Sequence, residues 1–268
     1  MKRKADIVFI TLVYRNYEDL YDLKRSIELH VKAAYEIVVV EAYYDNQTSE
    51  YVKDCALKLG CHYICVKNGG YGYGNNKGFE YVENNFLCQY ICVCNPDIMI
   101  QSDISVELLK SGLECIAPDI ITRKGKKQNP YWPYESSLIE KLIYYGYKKK
   151  NRLVIYSGVV INKLYRMYWR MVARKYAKYN IYACHGSFYI MQTTFVKKNH
   201  FKYDENMFLF YEEAYHAHFL KKHQAHICFM RDIKILHKED GSMNIANIEE
   251  MPYLQHSYLY YYEKYRMR

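Results

Sequence analysis

Between residues 6 and 95, four apolar runs ("DIVFITLVY", "YEIVVVEA", "HYICVK" and "QYICVCN") alternate with segments of helical spacing. The runs are continuous and rich in Val and Ile, as strands buried on both faces must be. After the first run, Leu20, Leu23, Ile27 and Val31 recur at helical intervals within residues 18–34. After the second, Thr48 or Ser49 is expected to cap a helix carrying Val52, Ala56 and Leu59, with Gly60 stopping it. After the third comes a glycine-rich bend, then a short helix over 75–85. Three successive strand–helix units call for an α/β fold, a central mostly parallel sheet flanked by helices, with ligands at the carboxyl ends of the strands.

A chain of 268 residues that is half hydrophobic can bury a sizeable core, which excludes wholesale disorder. The net charge of +9 suits an anionic partner: a nucleotide diphosphate, an anionic membrane or nucleic acid. Tyrosine reaches 33 residues against 2 Trp, reflecting genomic bias or a surface of amphipathic rings facing sugars or headgroups. The nine cysteines form no CxxC pair, and Cys92 and Cys94 alternate on one strand as small core residues. That argues against a disulfide framework or zinc and for a reducing, cytoplasmic setting. The opening "MKRKADIVFITLVYRN" imitates a signal peptide, but its apolar run is short and no small-residue cleavage site follows, so it reads as a strand. No stretch approaches the ~20 apolar residues of a membrane span.

Beyond "CIAPDI" the periodicity breaks. Three of the five prolines lie between 118 and 133, and residues 122–180 read as an insertion or lid. Within it, residues 161–180 carry six basic residues and no acid. On a helix, Lys163, Arg166, Arg170, Arg174 and Lys178 form one stripe, opposite Leu164, Tyr168, Met171 and Val172. That pattern, with the basic, tyrosine-rich tail at 243–268, suggests a peripheral position on an anionic membrane surface at the inner face of the cell membrane. Residues 1–242 form one domain on this reading.

The glycines of "NGGYGYGNNKG" do not match a dinucleotide fingerprint, follow the third strand rather than the first, and precede no Walker lysine. Taken with "IVFITLVYRN", "EIVVVEA", "CNPDIMI", "CHGSFYIMQ", "YDENMFLFYEEA" and "ILHKEDGS", in that order from Ile7 to Ser242, the chain resembles a family 2 glycosyltransferase of the GT-A fold. The similarity is to the branch containing rhamnosyl- and galactofuranosyl-transferase-like enzymes of polysaccharide assembly.

The resemblance implies an inverting transfer from a UDP- or dTDP-sugar to a hydroxyl of a glycan or lipid-linked oligosaccharide, in capsule or O-antigen biosynthesis. It places the backbone around Thr11 and Val13 against the base, and Glu41 on the base or ribose. The family usually has Asp-Asn where this chain has Glu41-Ala42, and Asp45-Asn46 is a displaced substitute. It sets Gly72 and Asn76 near the nucleotide. Asn95-Pro96-Asp97 is similar to the family's DxD with its first acid lost. Asp97 and His237 would then hold Mn²⁺ or Mg²⁺, with Asn95 beside the donor. In Glu212-Glu213, where the family usually has Glu-Asp, Glu213 takes the place of the general base, with Asp204 the next candidate. Asp204-Glu205 shapes the acceptor loop, and His185-Gly186 packs beneath the acceptor. Phe219 stands where the family often has Arg. Two rival readings are a nucleotide-sugar-binding protein without catalysis, and a nucleic-acid-binding protein using the basic helix. Under the glycosyltransferase reading nucleic acid is not a partner.

Overall fold

The computed structural model describes residues 2–239 and 250–267. In chain order the first half runs β1 (Arg3–Lys4), β2 (Ile7–Val13), α1 (Asp19–His30), β3 (Tyr35–Ala42), α2 (Asn46–Lys58), β4 (His62–Val66), α3 (Tyr71–Asn85), β5 (Phe86–Leu87), β6 (Tyr90–Cys94), β7 (Ile98–Ile100) and α4 (Val106–Leu109). The second half runs β8 (Cys115–Thr122), α5 (Ser137–Lys148), α6 (Arg152–Val172), β9 (Lys178–Ile181), β10 (Phe188–Gln192), α7 (Thr193–Lys198), α8 (Glu212–Lys222), β11 (Ile227–His237) and α9 (Glu250–Tyr261). The main sheet has nine strands in the order β4-β3-β2-β6-β10-β8-β11-β7, with β9 added on β11. The four strands expected from sequence pair in parallel, β4-β3-β2-β6. β10 is antiparallel to both its neighbours, and β8 and β11 are parallel.

Both faces of this sheet are covered. Ile7, Phe9 and Val39 pack on one side with Leu20, Leu23 and Ile27 of α1 and Val52 and Ala56 of α2. Val8, Ile10, Val38 and Val40 pack on the other with Phe79 and Val82 of α3 and Leu220 of α8. Successive residues of one strand therefore enter opposite cores, which is why the runs show no polar alternation.

Several boundaries differ from the sequence reading. α2 starts earlier than expected: Asp45 is its cap, accepting from the Thr48 amide at 2.7 Å, and Thr48 and Ser49 lie inside the first turn. α3 also starts earlier, so most of the glycine stretch is helix rather than bend. A Cβ on Gly74 would come within 2.4 Å of Leu12, and one on Gly78 within 2.4 Å of Ile10, so these glycines let α3 press onto the sheet.

The expected helix at 161–180 is shifted. α6 begins at Arg152 and ends at Val172, Arg174 and Lys175 sit in a 3-10 turn, and Lys178 opens β9. Residues 178–181 pair with the free edge of β11, with Ile181 opposite Ile227, and that pairing ends the helical pattern. The five-residue basic stripe is thereby broken. α5 and α6 form a helical hairpin that closes on two glycines: a Cβ on Gly146 would lie 2.7 Å from Ile155, and one on Gly158 2.6 Å from Ile143.

The segment read as a basic tail contains α9, continued by a π-type turn over Tyr262–Arg266. Tyr258 and Tyr261 are buried, and Ser257 donates to the Leu209 carbonyl at 2.8 Å. The expected boundary between 242 and 243, and the Asp240-Gly241-Ser242 end of the last motif, lie outside the described residues. Among those residues no helix is long and apolar enough to cross a membrane.

Candidate functional site

At the carboxyl ends of β2 and β3, Val13 pairs with Glu41, and Thr11, opposite Val39, sits two pairs earlier on the same face. All three are buried. One Glu41 oxygen accepts from Ser49 Oγ at 2.9 Å and from the Tyr63 hydroxyl. Burial, then the bond to Glu41, raises the Tyr63 hydroxyl pKa. The other Glu41 oxygen and Thr11 Oγ1 have no protein partner. A buried polar atom left unpaired costs about 1–3 kcal/mol, so these two oxygens on one sheet face are acceptors that a ligand hydrogen bond would relieve. The contacts of Ser49 and Tyr63 with Glu41 escaped the sequence reading. Their link to Glu41 follows from the β3–β4 register, which pairs Val39 with Tyr63 and Glu41 with Cys65. Asp45, the alternative reader of the nucleotide, has its carboxylate on the α2 cap, where the Thr48 amide lowers its pKa.

Gly72 and Asn76 face protein. A Cβ on Gly72 would lie 3.0 Å from Tyr203 Cβ. Asn76 is buried and clamps the 203–205 loop: its amide donates to the Tyr203 carbonyl and to Glu205, each at 3.0 Å, and its oxygen accepts from the Tyr203 amide at 2.8 Å. Gly70, at φ 92°, meets the same loop, and a Cβ there would lie 2.1 Å from the Phe208 carbonyl oxygen. The glycine motif therefore docks α3 against the loop that leads to the acidic pair.

Next to this lies the Asn95-Pro96-Asp97 turn. Asn95 is half-buried at the tip of β6, its amide donating to the Ser187 carbonyl at 2.9 Å. β7 pairs antiparallel with β11 so that Ile98 faces His237, and this register sets Asp97 against the imidazole. Asp97 Oδ1 and His237 Nε2 are 3.2 Å apart, and both residues are buried. His237 Nδ1 lies 2.8 Å from Gln128 Oε1, and the Gln128 amide nitrogen donates to Glu239 at 3.0 Å. With Gln128 held that way round, Nδ1 carries a proton. An Nε2 lone pair would then oppose the Asp97 carboxylate unless a proton or a cation lies between them. This donor set fits a divalent cation. Among the described residues no third His, Cys, Asp or Glu completes a metal cluster, so phosphate oxygens and water would supply the remaining ligands. Lys238 follows immediately and bonds Asp19 at 2.6 Å, anchoring the strand end to α1. The His185 ring lies 5.7 Å from that of His237. Burial first, then the neighbouring His237 charge, pushes the His185 pKa down to about 3, so it is a neutral hydrogen-bonding group.

The acidic pair opens α8. Before it, Phe210 and Tyr211 both adopt left-handed φ values of 71° and 70°, an arrangement that bulky residues hold only under strong tertiary restraint. Tyr211 supplies it by packing on Trp132, Tyr258 and Tyr261. The two acids then diverge. Glu212 is fully buried, one of its oxygens has no partner, and burial, then the Glu213 charge, holds its pKa well above the usual carboxylate range. Glu213 is half-buried and accepts from the Gly186 amide at 3.3 Å, and burial raises its pKa as well. A Cβ on Gly186 would sit 3.2 Å from the Glu213 oxygen, so a side chain there would press on the carboxylate. The Tyr71 hydroxyl, at the start of α3, donates to the Gly186 carbonyl at 2.8 Å. Asp204 instead binds Lys264 at 2.8 Å, Tyr260 at 3.0 Å and the Tyr265 hydroxyl, fastening the C-terminal helix; against burial, the bonds from Lys264, Tyr265 and Asn206 hold its pKa low. Phe219 packs among Phe201, Tyr215 and His223 and makes no polar contact of the kind an Arg would.

No protein-family model matches this sequence. Part of the chain is similar to the low-salt glycan biosynthesis hexosyltransferase Agl10 of Haloferax volcanii, 27% identical over 142 residues, which are 51% of this chain and 44% of Agl10. The chain thus spans less than half of that curated relative. Among solved structures, GalNAc-T7 with UDP, GalNAc and Mn²⁺ superposes with a TM-score of 0.59 at 11% identity, covering 87% of this chain and 44% of that one. S. aureus TarS 1–349 in complex with UDP-GlcNAc superposes with a TM-score of 0.55 at 14% identity, covering 92% of this chain and 63% of that one. The fold is that of the GT-A glycosyltransferases.

Proposed function

We propose that this GT-A protein is an inverting, metal-assisted glycosyltransferase. Its donor is a UDP- or dTDP-sugar, and its acceptor is a hydroxyl on a glycan or lipid-linked oligosaccharide of a cell-surface polymer such as capsule or O-antigen. The rhamnosyl- and galactofuranosyl-transferase-like branch belongs to the same proposal. The observation that carries it is the buried Asp97–His237 pair, 3.2 Å apart with the far ring nitrogen on Gln128, which can serve as a donor set for a cation beside a diphosphate. The named relatives add support: Agl10 is called a hexosyltransferase, and the two superposed proteins were solved with UDP or a UDP-sugar.

Thr11, Val13 and Glu41 hold the base and ribose, with the free Glu41 oxygen accepting from an N–H or hydroxyl. Asp97 and His237 would hold Mn²⁺ or Mg²⁺, which offsets the charge on the departing diphosphate. Glu213 removes the acceptor proton as the new C–O bond forms at the anomeric carbon. The old C–O bond breaks in line with it, and its electron pair leaves on the diphosphate. Isothermal titration with UDP and dTDP tests this. Binding that requires Mn²⁺ or Mg²⁺ and is lost in Asp97→Ala supports the reading, whereas equal affinity in excess EDTA overturns the metal-assisted form of it.

A further inference from the structure

The outward side of α6 is apolar. Leu153 is 81% exposed, Leu164 60%, Met167 52% and Met171 70%. At 100° per residue these four and Val160 lie within about 60° of arc, one stripe along the helix. Exposed Tyr156 and Tyr168 border it, and Leu138 and Tyr145 of α5 are exposed beside it on the hairpin. Soluble surfaces rarely carry a continuous apolar stripe of this length without a partner. The basic residues do not occupy one opposite face, as the sequence pattern had suggested. Arg166 turns inward over the Tyr131 ring at 5.6 Å, and Arg170 donates to the Lys127 carbonyl at 2.7 Å. The exposed cations lie around the stripe: Lys149, Lys150 and Arg152 at the hairpin tip, Lys163 on one flank, Arg174 and Lys175 at the far end.

We propose that this face seats the protein on an anionic lipid bilayer. α6 lies in the interface, with Leu164, Met167 and Met171 in the headgroup–acyl boundary and the surrounding Lys and Arg on lipid phosphates. Charge selects the occupant. Residues 141–178 contain eleven Lys and Arg and no Asp or Glu, so a second copy of the hairpin would meet like charge, while an anionic leaflet meets opposite charge. The helix is about 30 Å long. Arg152, Lys163, Arg166 and Arg170 are spread along it, which suits a helix lying on the surface and excludes a spanning one. Through Arg166 and Tyr131, whose ring is 5.6 Å from that of His185, the seated hairpin also borders the Asp97–His237 pair. The proposal stands on the surface alone and does not depend on the reaction.

The test is co-sedimentation of the full chain with vesicles of phosphatidylcholine alone or with a third phosphatidylglycerol, at low salt. Binding should favour the anionic vesicles and fall more than about tenfold in the double variant Leu164→Asp, Met171→Asp, whose sites are exposed and leave the core unchanged. Met171→Trp should bind as wild type does and gain blue-shifted emission on the anionic vesicles. The proposal is overturned by absence of binding to anionic vesicles, by unchanged binding of the double variant, or by unshifted emission from vesicle-bound Met171→Trp. A dimer in sedimentation equilibrium that the double variant dissociates overturns it in favour of a second copy.

Discussion

At the start of α8, two neighbouring glutamates meet different surroundings. Successive helix residues point about 100° apart, so Glu212 enters the core while Glu213 reaches Gly186. Glu213→Gln preserves shape but cannot accept a proton, and steady-state kinetics should show turnover lower by about 10²–10⁴-fold with donor affinity unchanged. Because burial raises the Glu213 pKa, wild-type turnover should climb with pH through a value above the ordinary carboxylate range, a limb the Gln variant lacks. Glu212 predicts a stability effect instead. Its folded pKa is raised, so near pH ~4, where the unfolded chain is also mostly protonated, the penalty is small. As pH rises the unfolded chain ionises while the folded one stays neutral, and stability falls until the raised pKa is passed. Glu212→Gln should therefore raise Tm at about pH 8 and change it little near pH ~4. Equal Tm shifts at both pH values would contradict a buried neutral Glu212.

Among the elements, α3 is the one whose sequence was hardest to read. Its glycines look like a loop because glycine disfavours helix interiors, by roughly 1 kcal/mol against alanine. The helix forms because Leu12, Ile10, Tyr203 and the Phe208 carbonyl all lie where a Cβ would be. Gly60 makes the control: its φ is 68° but no atom lies within 4 Å of its would-be Cβ. Gly60→Ala should lower stability by about 1 kcal/mol, a backbone effect alone. Gly70→Ala combines a φ of 92° with a 2.1 Å clash against backbone. It should cost more than about 3 kcal/mol in urea unfolding and loosen the loop before Glu213. Comparable midpoints for the two variants would refute this account of the motif.

At the scale of the molecule, the C-terminal helix ties the 203–205 loop to the hairpin. Asp204 holds Lys264, Tyr260 and Tyr265, while Arg266 bonds Glu140 at 2.7 Å and Glu135. Asp204→Ala removes one end of that tie and should lower stability by about 1–3 kcal/mol at neutral pH. Its folded pKa is depressed, so the contribution is present above the ordinary carboxylate pKa and disappears as pH falls through the folded one. The Tm difference between wild type and variant should accordingly shrink in acid. A difference independent of pH would show that Asp204 acts through packing alone.

The sequence by itself determined the parallel half of the sheet, because strands buried on both faces leave short uninterrupted runs rich in Val and Ile, bounded by turn residues. The motifs around Asp97, His237 and Glu213 made them candidates, and the β7–β11 register brought the first two together. Tertiary structure alone decided the rest. Gly72 packs on Tyr203, Asn76 bonds its backbone, and Asp204 is bound by Lys264 and Tyr265, since a polar side chain pairs with whatever the fold brings to it. The basic stripe of residues 161–180 dissolved for the same reason. Helical periodicity is a local property, but Lys178 found the edge of β11, Arg166 found Tyr131, and the apolar side was left facing outward. Which face of an amphipathic helix turns inward depends on the surface it meets, and that surface is assembled from residues far away in the chain.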